Sequence, residues 1–419
     1  MRLKNFVPVL LLAGACGPGT PQDGETDGSS SSSTSGGPST SDTPTTTDAP
    51  PTTGDDGTCP NGQPELAPLW SRTIEQEPDG EKFVVGPPLV LSDGRIAVPA
   101  RARLDESTFA AAVAWFSPEG EPLGWKVGEL QTLQQFFVTA AAVGADDTVV
   151  VIGTGSDGEQ PLPFIGRFDA GAPELTRSGL EAAVMTWPAA MVLHADDTAV
   201  LLGAGGQLAR VDVDTGQTLW AQEVPGSPAS PGGSLALGPA GEIVAAVGIW
   251  PNNEDPGMMV ARADAAGTLV WIRDLFEPGP TSGELADLVV TPDGQAIVLR
   301  RWWTPEEKIT ATSLALEDGA TLWDVDAVAV TPAGSPELLR ARAEADALLL
   351  PIARRAGDEG PLTVELHRLS LAGQVVDVTP LPLAGRETGR PRVNVTRGRC
   401  GELVLLHEEL VPWLGSFAP

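Results

Sequence analysis

The stretch that decides the fold is VDVDTGQTLWAQEV at residues 211–224, and two later stretches have the same layout. These are RADAAGTLVWIRD at 262–274 and SLALEDGATLWDV at 313–325. Each consists of an apolar strand pattern, a short acidic turn with a glycine, and a second strand that carries a tryptophan. Glycine supplies the positive φ that a tight hairpin turn needs. The chain is therefore predicted to repeat one β-hairpin unit.

Two series of such turns run through the chain with the same period. One series has turns near residues 93, 146, 196, 240, 293, 345 and 400. The other is marked by Gly120, Gly171, Gly216, Gly267, Gly319 and Gly373. Successive turns within a series are 44 to 55 residues apart. Each unit holds four short strand patterns without helical periodicity, which is typical of a propeller blade.

The repeat predicts an all-β chain that folds as a seven-bladed β-propeller of four-stranded blades. Six complete units lie between about residue 83 and residue 383, and the C-terminal stretch supplies three further strands. LAPLWSRTI at 66–74 has the pattern of a missing fourth strand. We expect this N-terminal strand to join the last blade and close the ring, because closure removes exposed sheet edges.

The repeat resembles the PQQ-like repeat of quinoprotein dehydrogenases and their non-enzymatic relatives. The tryptophans that match the outer-strand position of that repeat are Trp70, Trp125, Trp220, Trp271 and Trp323. The resemblance implies a propeller in which these side chains pack between neighbouring blades. Many quinoprotein enzymes place two adjacent cysteines against the quinone, and the sequence has no such pair. No cofactor is therefore predicted, and the chain is expected not to be an enzyme.

The first 16 residues, MRLKNFVPVLLLAGAC, have the layout of a secretory signal. Arg2 and Lys4 precede an apolar run that is too short to span a bilayer. The ending LAGAC resembles a bacterial lipobox, which implies that Cys16 is lipidated and becomes the mature N-terminus. The alternative is an ordinary signal that is cleaved near Ala15.

Residues 17–58 are predicted to be a disordered tether. This Ser-, Thr-, Pro- and Gly-rich stretch contains no aromatic residue and no Leu, Ile or Val, so it has no side chains with which to build a core. The folded domain is expected to span residues 59–419. A lipid at Cys16 and this tether would hold the domain at a bacterial membrane surface, the outer membrane or the cell surface being expected.

Cys59 and Cys400 are the two other cysteines of the chain. An exported protein permits disulfides, and an even pair in that compartment suggests one. The repeat places both residues in the blade that joins the two ends of the chain, where a disulfide would fasten the seam. Two unrelated thiols are the alternative.

The net charge of −30 excludes some partners. Such an acidic chain repels the phosphates of nucleic acid and of anionic lipid, so neither is an expected partner. The charge also favours solubility, and the chain is expected to be a monomer. The three histidines, His194, His367 and His407, fall in different units, so no metal site is predicted.

Acidic and aromatic residues recur in the loops that join the second and third strands and in the connections between blades. All these segments are expected on one face. The candidate binding residues on it are Trp187, Trp250, Trp302, Trp303, Glu254, Asp255, Glu306 and Glu307. Aromatic rings beside carboxylates suit a peptide, a protein or a glycan. The alternative is that these loops are merely polar and that the tryptophans cover their own blades.

The sequence therefore predicts an exported, lipid-anchored propeller that acts as a binding or scaffolding module. One alternative is a hydrolase or lyase outside the cytoplasm that uses loop-face carboxylates as acid and base. A second alternative comes from the resemblance, because a propeller lipoprotein of the outer-membrane barrel-assembly machinery carries PQQ-like repeats. That alternative is a scaffold for outer-membrane protein assembly.

Overall fold

The architecture comes from a computed structural model. It describes residues 68–417 with gaps at 75–81, 85, 104–108, 129–134, 157–160, 169–174, 181–184, 186, 226–232, 249–257, 276–281, 305–306, 330–334, 356–361, 382–391, 398–402 and 409–412. The regular structure of these residues is β-strand without any helix, which confirms the all-β prediction. This part of the chain accordingly has no helix that is long and apolar enough to cross a membrane. The described residues all belong to the compact unit 54–419.

The strands are short and follow one another closely. The first ten are β1 (Pro68–Thr73), β2 (Lys82–Val84), β3 (Leu89–Val90), β4 (Ile96–Arg103), β5 (Phe109–Phe116), β6 (Pro122–Val127), β7 (Gln135–Val143), β8 (Val149–Ser156), β9 (Pro161–Phe168) and β10 (Leu175–Gly179). The next ten are β11 (Pro188–Leu193), β12 (Thr198–Gly203), β13 (Gln207–Asp212), β14 (Thr218–Glu223), β15 (Gly233–Leu237), β16 (Ile243–Gly248), β17 (Met258–Ala263), β18 (Leu269–Asp274), β19 (Ser282–Val290) and β20 (Gln295–Thr304). The last ten are β21 (Lys308–Ala315), β22 (Thr321–Ala329), β23 (Ser335–Leu338), β24 (Arg342–Ala343), β25 (Ala347–Arg355), β26 (Leu362–Ser370), β27 (Val375–Leu381), β28 (Arg392–Arg397), β29 (Leu403–Glu408) and β30 (Trp413–Phe417).

Consecutive strands pair antiparallel into separate sheets, as the repeat predicts. Among the described residues, sheet I holds β2–β6, sheet II β7–β10, sheet III β11–β14, sheet IV β15–β18, sheet V β19–β22 and sheet VI β23–β27. Sheets II to V have four strands each. Sheets I and VI have five, because the first strand of each is divided into two pieces that pair with the same neighbour.

The two ends of the chain share one further sheet, which we call the composite sheet. Its strand order is β1-β30-β29-β28, and Thr73 of β1 lies opposite Trp413 of β30. The N-terminal strand thus supplies the fourth strand to the last three, which is the pairing expected for residues 66–74. The pairing leaves no unmatched strand at either end of the described residues.

The hairpin turns confirm the role predicted for their glycines. Gly94, Gly216 and Gly319 have φ values of 87°, 70° and 71°. In two turns of the first series, an aspartate takes the left-handed position instead, Asp147 with φ 63° and Asp197 with φ 59°. Aspartate tolerates this conformation better than most residues. The repeat therefore keeps its turn geometry where glycine is lost.

Consecutive sheets pack face to face through buried apolar side chains. One cluster joins each such pair, and the composite sheet packs on sheet I. Representative pairs are Val404 with Val98, Val113 with Val151, Ile152 with Leu201, Leu202 with Val247, Val260 with Val298, and Leu299 with Leu350. Many thin cores thus replace one large core, which is how a repeat protein of this length stays compact.

The outer-strand tryptophans reinforce these contacts. Trp220, Trp271 and Trp323 each lie against a turn glycine of the next sheet, at Gly267, Gly319 and Gly373 respectively. The Nε1 atoms of Trp271 and Trp323 also donate hydrogen bonds to backbone carbonyls of the next sheet, at Leu316 and Leu371, both at 2.9 Å. The predicted packing of this tryptophan between neighbouring units is confirmed at these positions.

Candidate functional site

Only part of the predicted binding face belongs to the described residues. Trp187, Trp302, Trp303 and Glu307 are described. The other candidates lie outside the described residues: Trp250, Glu254, Asp255 and Glu306, together with Cys16, Cys59 and Cys400. The predicted signal and tether at 1–58 lie outside them as well.

Trp302 and Trp303 were predicted in a loop, and this assignment is wrong. Both belong to strand β20, which continues to Thr304. Trp302 is only 6% exposed, and its Nε1 atom donates a 3.0 Å hydrogen bond to the hydroxyl of Thr310 on the neighbouring strand. The guanidinium of Arg300 lies 5.2 Å from the centroid of its ring. Because its polar atom is satisfied inside the sheet, Trp302 packs within its own unit, while Trp303 and Glu307 are half-buried.

Trp187 has the opposite environment. It lies just before β11, its side chain is 47% exposed, and its carbonyl accepts a 3.0 Å hydrogen bond from the backbone N–H of Ala204. The backbone is thus held in register while the indole stays open to solvent. Phe137 has the matching register in sheet II, opposite Thr154, and is 43% exposed. Two neighbouring sheets therefore present an exposed aromatic ring at one position.

The same register in sheets V and VI carries carboxylates. Glu284 lies opposite Arg301, and Glu337 lies opposite Ala353. The Glu284 carboxylate is partly exposed and lies 3.7 Å from the guanidinium of Arg301. We call this register the strand-start position and define it by Phe137, Trp187, Glu284 and Glu337. It combines aromatic rings from two sheets with carboxylates from two others.

One aromatic ring at this position, in sheet II, contacts a cation of the preceding sheet, sheet I. The guanidinium of Arg101 lies 5.7 Å from the ring centroid of Phe137 and 5.2 Å from that of Phe109. A cation over the face of an aromatic ring is attracted by the ring quadrupole. Arg101 thereby links sheets I and II and fixes the ring of Phe137 at a partly exposed site.

A cavity of about 450 Å³ lies where the first strands of sheets I to VI meet. Its lining comes from Pro87, Ala140, Ala190, Ser234, Asp287 and Arg340, with neighbours on the same strands. Cavities of this size are typical of small-molecule sites. Glu337 of the strand-start position also lines it.

These six residues, one from each sheet, occupy one position of the repeat, which we call the mid-strand position. In the continuous first strands, Ala140, Ala190, Ser234 and Asp287 lie opposite Ile152, Leu202, Ala246 and Leu299, all at matching register. Pro87 and Arg340 fall in the breaks that divide the first strands of sheets I and VI. One side of the cavity is thus apolar or small, and the other carries a hydroxyl, a carboxylate and a guanidinium.

Asp287 is the most strongly bound side chain of the cavity. Its Oδ1 atom accepts hydrogen bonds from the Ser234 hydroxyl at 3.2 Å and the Leu288 N–H at 2.8 Å. Its Oδ2 atom accepts one from the Ala341 N–H at 2.8 Å. Removal from water raises the pKa of Asp287, and Arg340 and these hydrogen bonds oppose the increase. One carboxylate thus joins sheets IV, V and VI.

Arg340 lies next to the backbone N–H that Asp287 holds. The side chain is exposed and lines the cavity. Within the part of the chain that the structure describes, its guanidinium has neither a hydrogen bond nor an ion pair, and it acts on Asp287 through a longer-range attraction. Because both oxygens of Asp287 are engaged with other donors, the N–H groups of Arg340 remain available to a ligand among the described residues.

Among the described residues, no three His, Cys, Asp or Glu side chains come together in a group that could hold a metal ion. His194 and His367 are in separate sheets. The carboxylate of Glu365 accepts a 3.0 Å hydrogen bond from His367 and another from the buried Arg354. Burial acts to raise the pKa of Glu365, but these partners outweigh it and lower the pKa. This cluster holds sheet VI together rather than opening onto the cavity.

Comparison with models of known protein families and with curated proteins finds no match to this chain.

Proposed function

We propose that this protein is an exported, lipid-anchored, seven-bladed β-propeller that binds a cationic peptide segment of a protein partner. The observation that carries the proposal is the strand-start position, where exposed aromatic rings and carboxylates occupy the same register of different sheets. Rings supply apolar area, and carboxylates select for positive charge. The acidity of the whole chain, with net charge −30, would attract such a partner.

The proposed fold is a closed ring in which each of the seven sheets is one blade. It is supported by the packing of consecutive sheets, the shared sheet at the two ends of the chain and the cavity lined by six sheets. A ring further requires sheet VI to pack on the composite sheet.

A disulfide between Cys59 and Cys400 would fasten the composite sheet. Digestion without reductant, followed by mass spectrometry, should give a linked pair of peptides that reduction separates; two free thiols would contradict the seam disulfide.

The membrane anchor rests on the sequence of the first 16 residues. A diacylated or triacylated cysteine anchors firmly because each buried CH₂ contributes about 0.8 kcal/mol. Cells that express the full chain and are grown with radiolabelled palmitate should incorporate label into it. Cys16→Ser should abolish the label. Equal labelling of this variant would contradict lipidation at Cys16, whereas absence of label from both chains would favour an ordinary cleaved signal.

The binding proposal is tested with two synthetic peptides that differ only in charge. One alternates Lys and Trp, and the other alternates Glu and Trp. The full chain should bind the Lys–Trp peptide and reject the Glu–Trp peptide. Phe137→Ala/Trp187→Ala should weaken binding by at least about thirtyfold, since one aromatic anchor at a binding site is worth about 2 kcal/mol.

The matched control is Leu219→Ala on the outer strand β14, where Leu219 is 52% exposed and far along the sheet from the strand-start position. It should bind the Lys–Trp peptide as the unaltered chain does. Glu284→Gln/Glu337→Gln should weaken binding and reduce its dependence on salt. Equal binding of both peptides, or a loss with Leu219→Ala equal to that with the aromatic pair, would contradict the proposal. A hexosamine oligosaccharide bound in place of the peptide would identify a glycan site instead.

A further inference from the structure

The mid-strand position divides the cavity into two chemically different sides. Pro87, Ala140 and Ala190 form the apolar side in sheets I to III, and Ser234, Asp287 and Arg340 form the polar side in sheets IV to VI. The polar residues are spaced evenly along the chain, with 53 residues from Ser234 to Asp287 and 53 from Asp287 to Arg340. They therefore occupy the same place in three successive repeats. This arrangement suits a ligand with one polar end and one apolar end.

On the polar side, the guanidinium of Arg340 is not used as a hydrogen-bond donor to Asp287. Asp287 uses both oxygens to accept hydrogen bonds from Ser234, Leu288 and Ala341, and none of these donors is Arg340. By holding the N–H of Ala341, the carboxylate fixes the backbone beside Arg340 in the break between β23 and β24. At this break the N–H of Ala341 donates to Asp287 rather than to the neighbouring strand.

We propose that this cavity binds a small organic monocarboxylate, whose carboxylate pairs with Arg340 and whose apolar part packs against Pro87, Ala140 and Ala190. A guanidinium matches a carboxylate through two parallel N–H···O hydrogen bonds. A cavity volume of about 450 Å³ admits a ligand of several carbon atoms. This site does not include the exposed rings of the strand-start position, although the two share Glu337, and it takes a different class of ligand.

The other charges of the cavity decide between a monoanion and a polyanion. Asp287 and Glu337 line the same side as Arg340. Either anion would meet one guanidinium and two carboxylates, and because Coulomb energy scales with the charge of the ligand, the surplus carboxylate would repel a doubly charged phosphate about twice as strongly as a monocarboxylate. The surrounding carboxylates thus disfavour phosphate.

The test uses four probes, of which three have six carbon atoms in an unbranched chain. Calorimetric titrations of the full chain in detergent, with detergent alone as the blank, would compare hexanoate, hexylammonium, hexanol and inorganic phosphate. Hexanoate should bind best. Arg340→Gln should weaken hexanoate about tenfold or more, because a hydrogen bond to a charged group is worth about 1.5–3 kcal/mol. Arg340→Lys should retain part of the affinity.

The matched control is Arg368→Gln. Arg368 lies on β26, is ion-paired with Asp346 and does not line the cavity. It should bind hexanoate as the unaltered chain does. If hexanoate fails to bind at millimolar concentration, if Arg340→Gln binds it unchanged, or if hexylammonium or phosphate binds more tightly, the proposal is overturned. Thermal unfolding of each variant verifies its fold, and if Arg340→Gln is unfolded, Arg340→Lys and the order of the four probes decide. Peptide binding at Phe137 and Trp187 can fail without affecting this result.

Discussion

The indole ring of Trp323 lies against the turn of Gly373 in the next sheet, so closely that a Cβ on residue 373 would lie 2.9 Å from the ring. The same relationship joins Trp220 to Gly267 and Trp271 to Gly319. The glycine of each turn thus has two roles. It supplies a positive φ to its own hairpin, and it leaves room for the tryptophan of the preceding sheet.

Gly373→Ala should destabilise the protein by about 2–5 kcal/mol. The left-handed backbone, with φ of 78°, costs an alanine about 1–2 kcal/mol. The contact with the ring adds about 1–3 kcal/mol for overpacking. The change would be measured as a lower midpoint of urea unfolding.

Gly294→Ala is the matched control for this substitution. Gly294 has a similar φ of 84°, but a Cβ there would have no atom within 4 Å. It should therefore show the backbone cost alone, about 1–2 kcal/mol. Equal losses at the two positions would mean that the ring moves away freely and that the Trp–Gly contact does not constrain packing between sheets.

Trp323→Phe and Trp220→Phe should differ in cost although they make the same change. The Nε1 atom of Trp323 donates a hydrogen bond to the carbonyl of Leu371. The Nε1 atom of Trp220 is buried and has no hydrogen-bond partner among the described residues. Losing a satisfied bond to a buried carbonyl costs about 1–3 kcal/mol, while removing an unsatisfied donor costs nothing for hydrogen bonding. Unfolding midpoints should thus fall further for Trp323→Phe, and a larger fall for Trp220→Phe would contradict this account.

The hairpin repeat was predictable because turn chemistry and strand alternation are local. VDVDTGQTLW at 211–220 contains the end of β13, the turn at Gly216 and the start of β14. The residue at which a strand ends depends more on contacts with neighbouring strands than on local sequence. The sequence pattern places Trp302 in the loop between the second and third strands of its unit, whereas β20 continues through it, and there its ring packs against Arg300 and bonds to Thr310.

The cavity cannot be recognised from local sequence motifs, because the residues that line it come from different repeats. Ser234, Asp287 and Arg340 are 53 residues apart, so no local motif joins them. The available signal was an ionisable residue inside the apolar first strand GELADLVV, which strand alternation alone does not explain. Aligning the first strands by their hairpin turns would have placed these side chains at one position of the repeat.

Trp302→Ala should destabilise the protein by about 3–5 kcal/mol, as is usual when a buried aromatic side chain is truncated. Trp187→Ala should change stability by no more than about 0.5 kcal/mol, because its ring is 47% exposed and its backbone bond to Ala204 remains. Thermal unfolding of the two variants would distinguish a packed tryptophan from one available to a ligand. A large loss for Trp187→Ala would show that this ring covers its own sheet.

Asp287→Ala should cost at least about 3 kcal/mol, since the hydroxyl of Ser234 and the N–H groups of Leu288 and Ala341 would lose their acceptor. Ser234→Ala is the matched control. It removes one of the three donors and leaves the carboxylate paired with the other two, so it should cost about 1 kcal/mol. The free energies of unfolding would be compared by urea denaturation. Similar losses for the two variants would mean that Asp287 does not hold the three sheets together.

His194 should make stability depend on pH below about 6.5, the usual pKa of histidine. Its Nε2 atom is buried and has no hydrogen-bond partner among the described residues. Burial and the charge of Arg210 lower the pKa of His194, while Asp196 acts in the opposite direction. The neutral ring therefore contributes its full stability above the pKa of the unfolded state. That stability is lost as pH falls, because the unfolded chain takes up the proton first.

His194→Gln should flatten this pH dependence. The measurement is the urea midpoint of both chains between about pH 7.5 and about pH 5.5, a window in which ordinary carboxylates stay ionised. The unaltered chain should lose more stability across the window than the variant, because glutamine cannot take up a proton. Parallel decreases in the two chains would assign the pH dependence to other groups and would contradict a lowered pKa at His194.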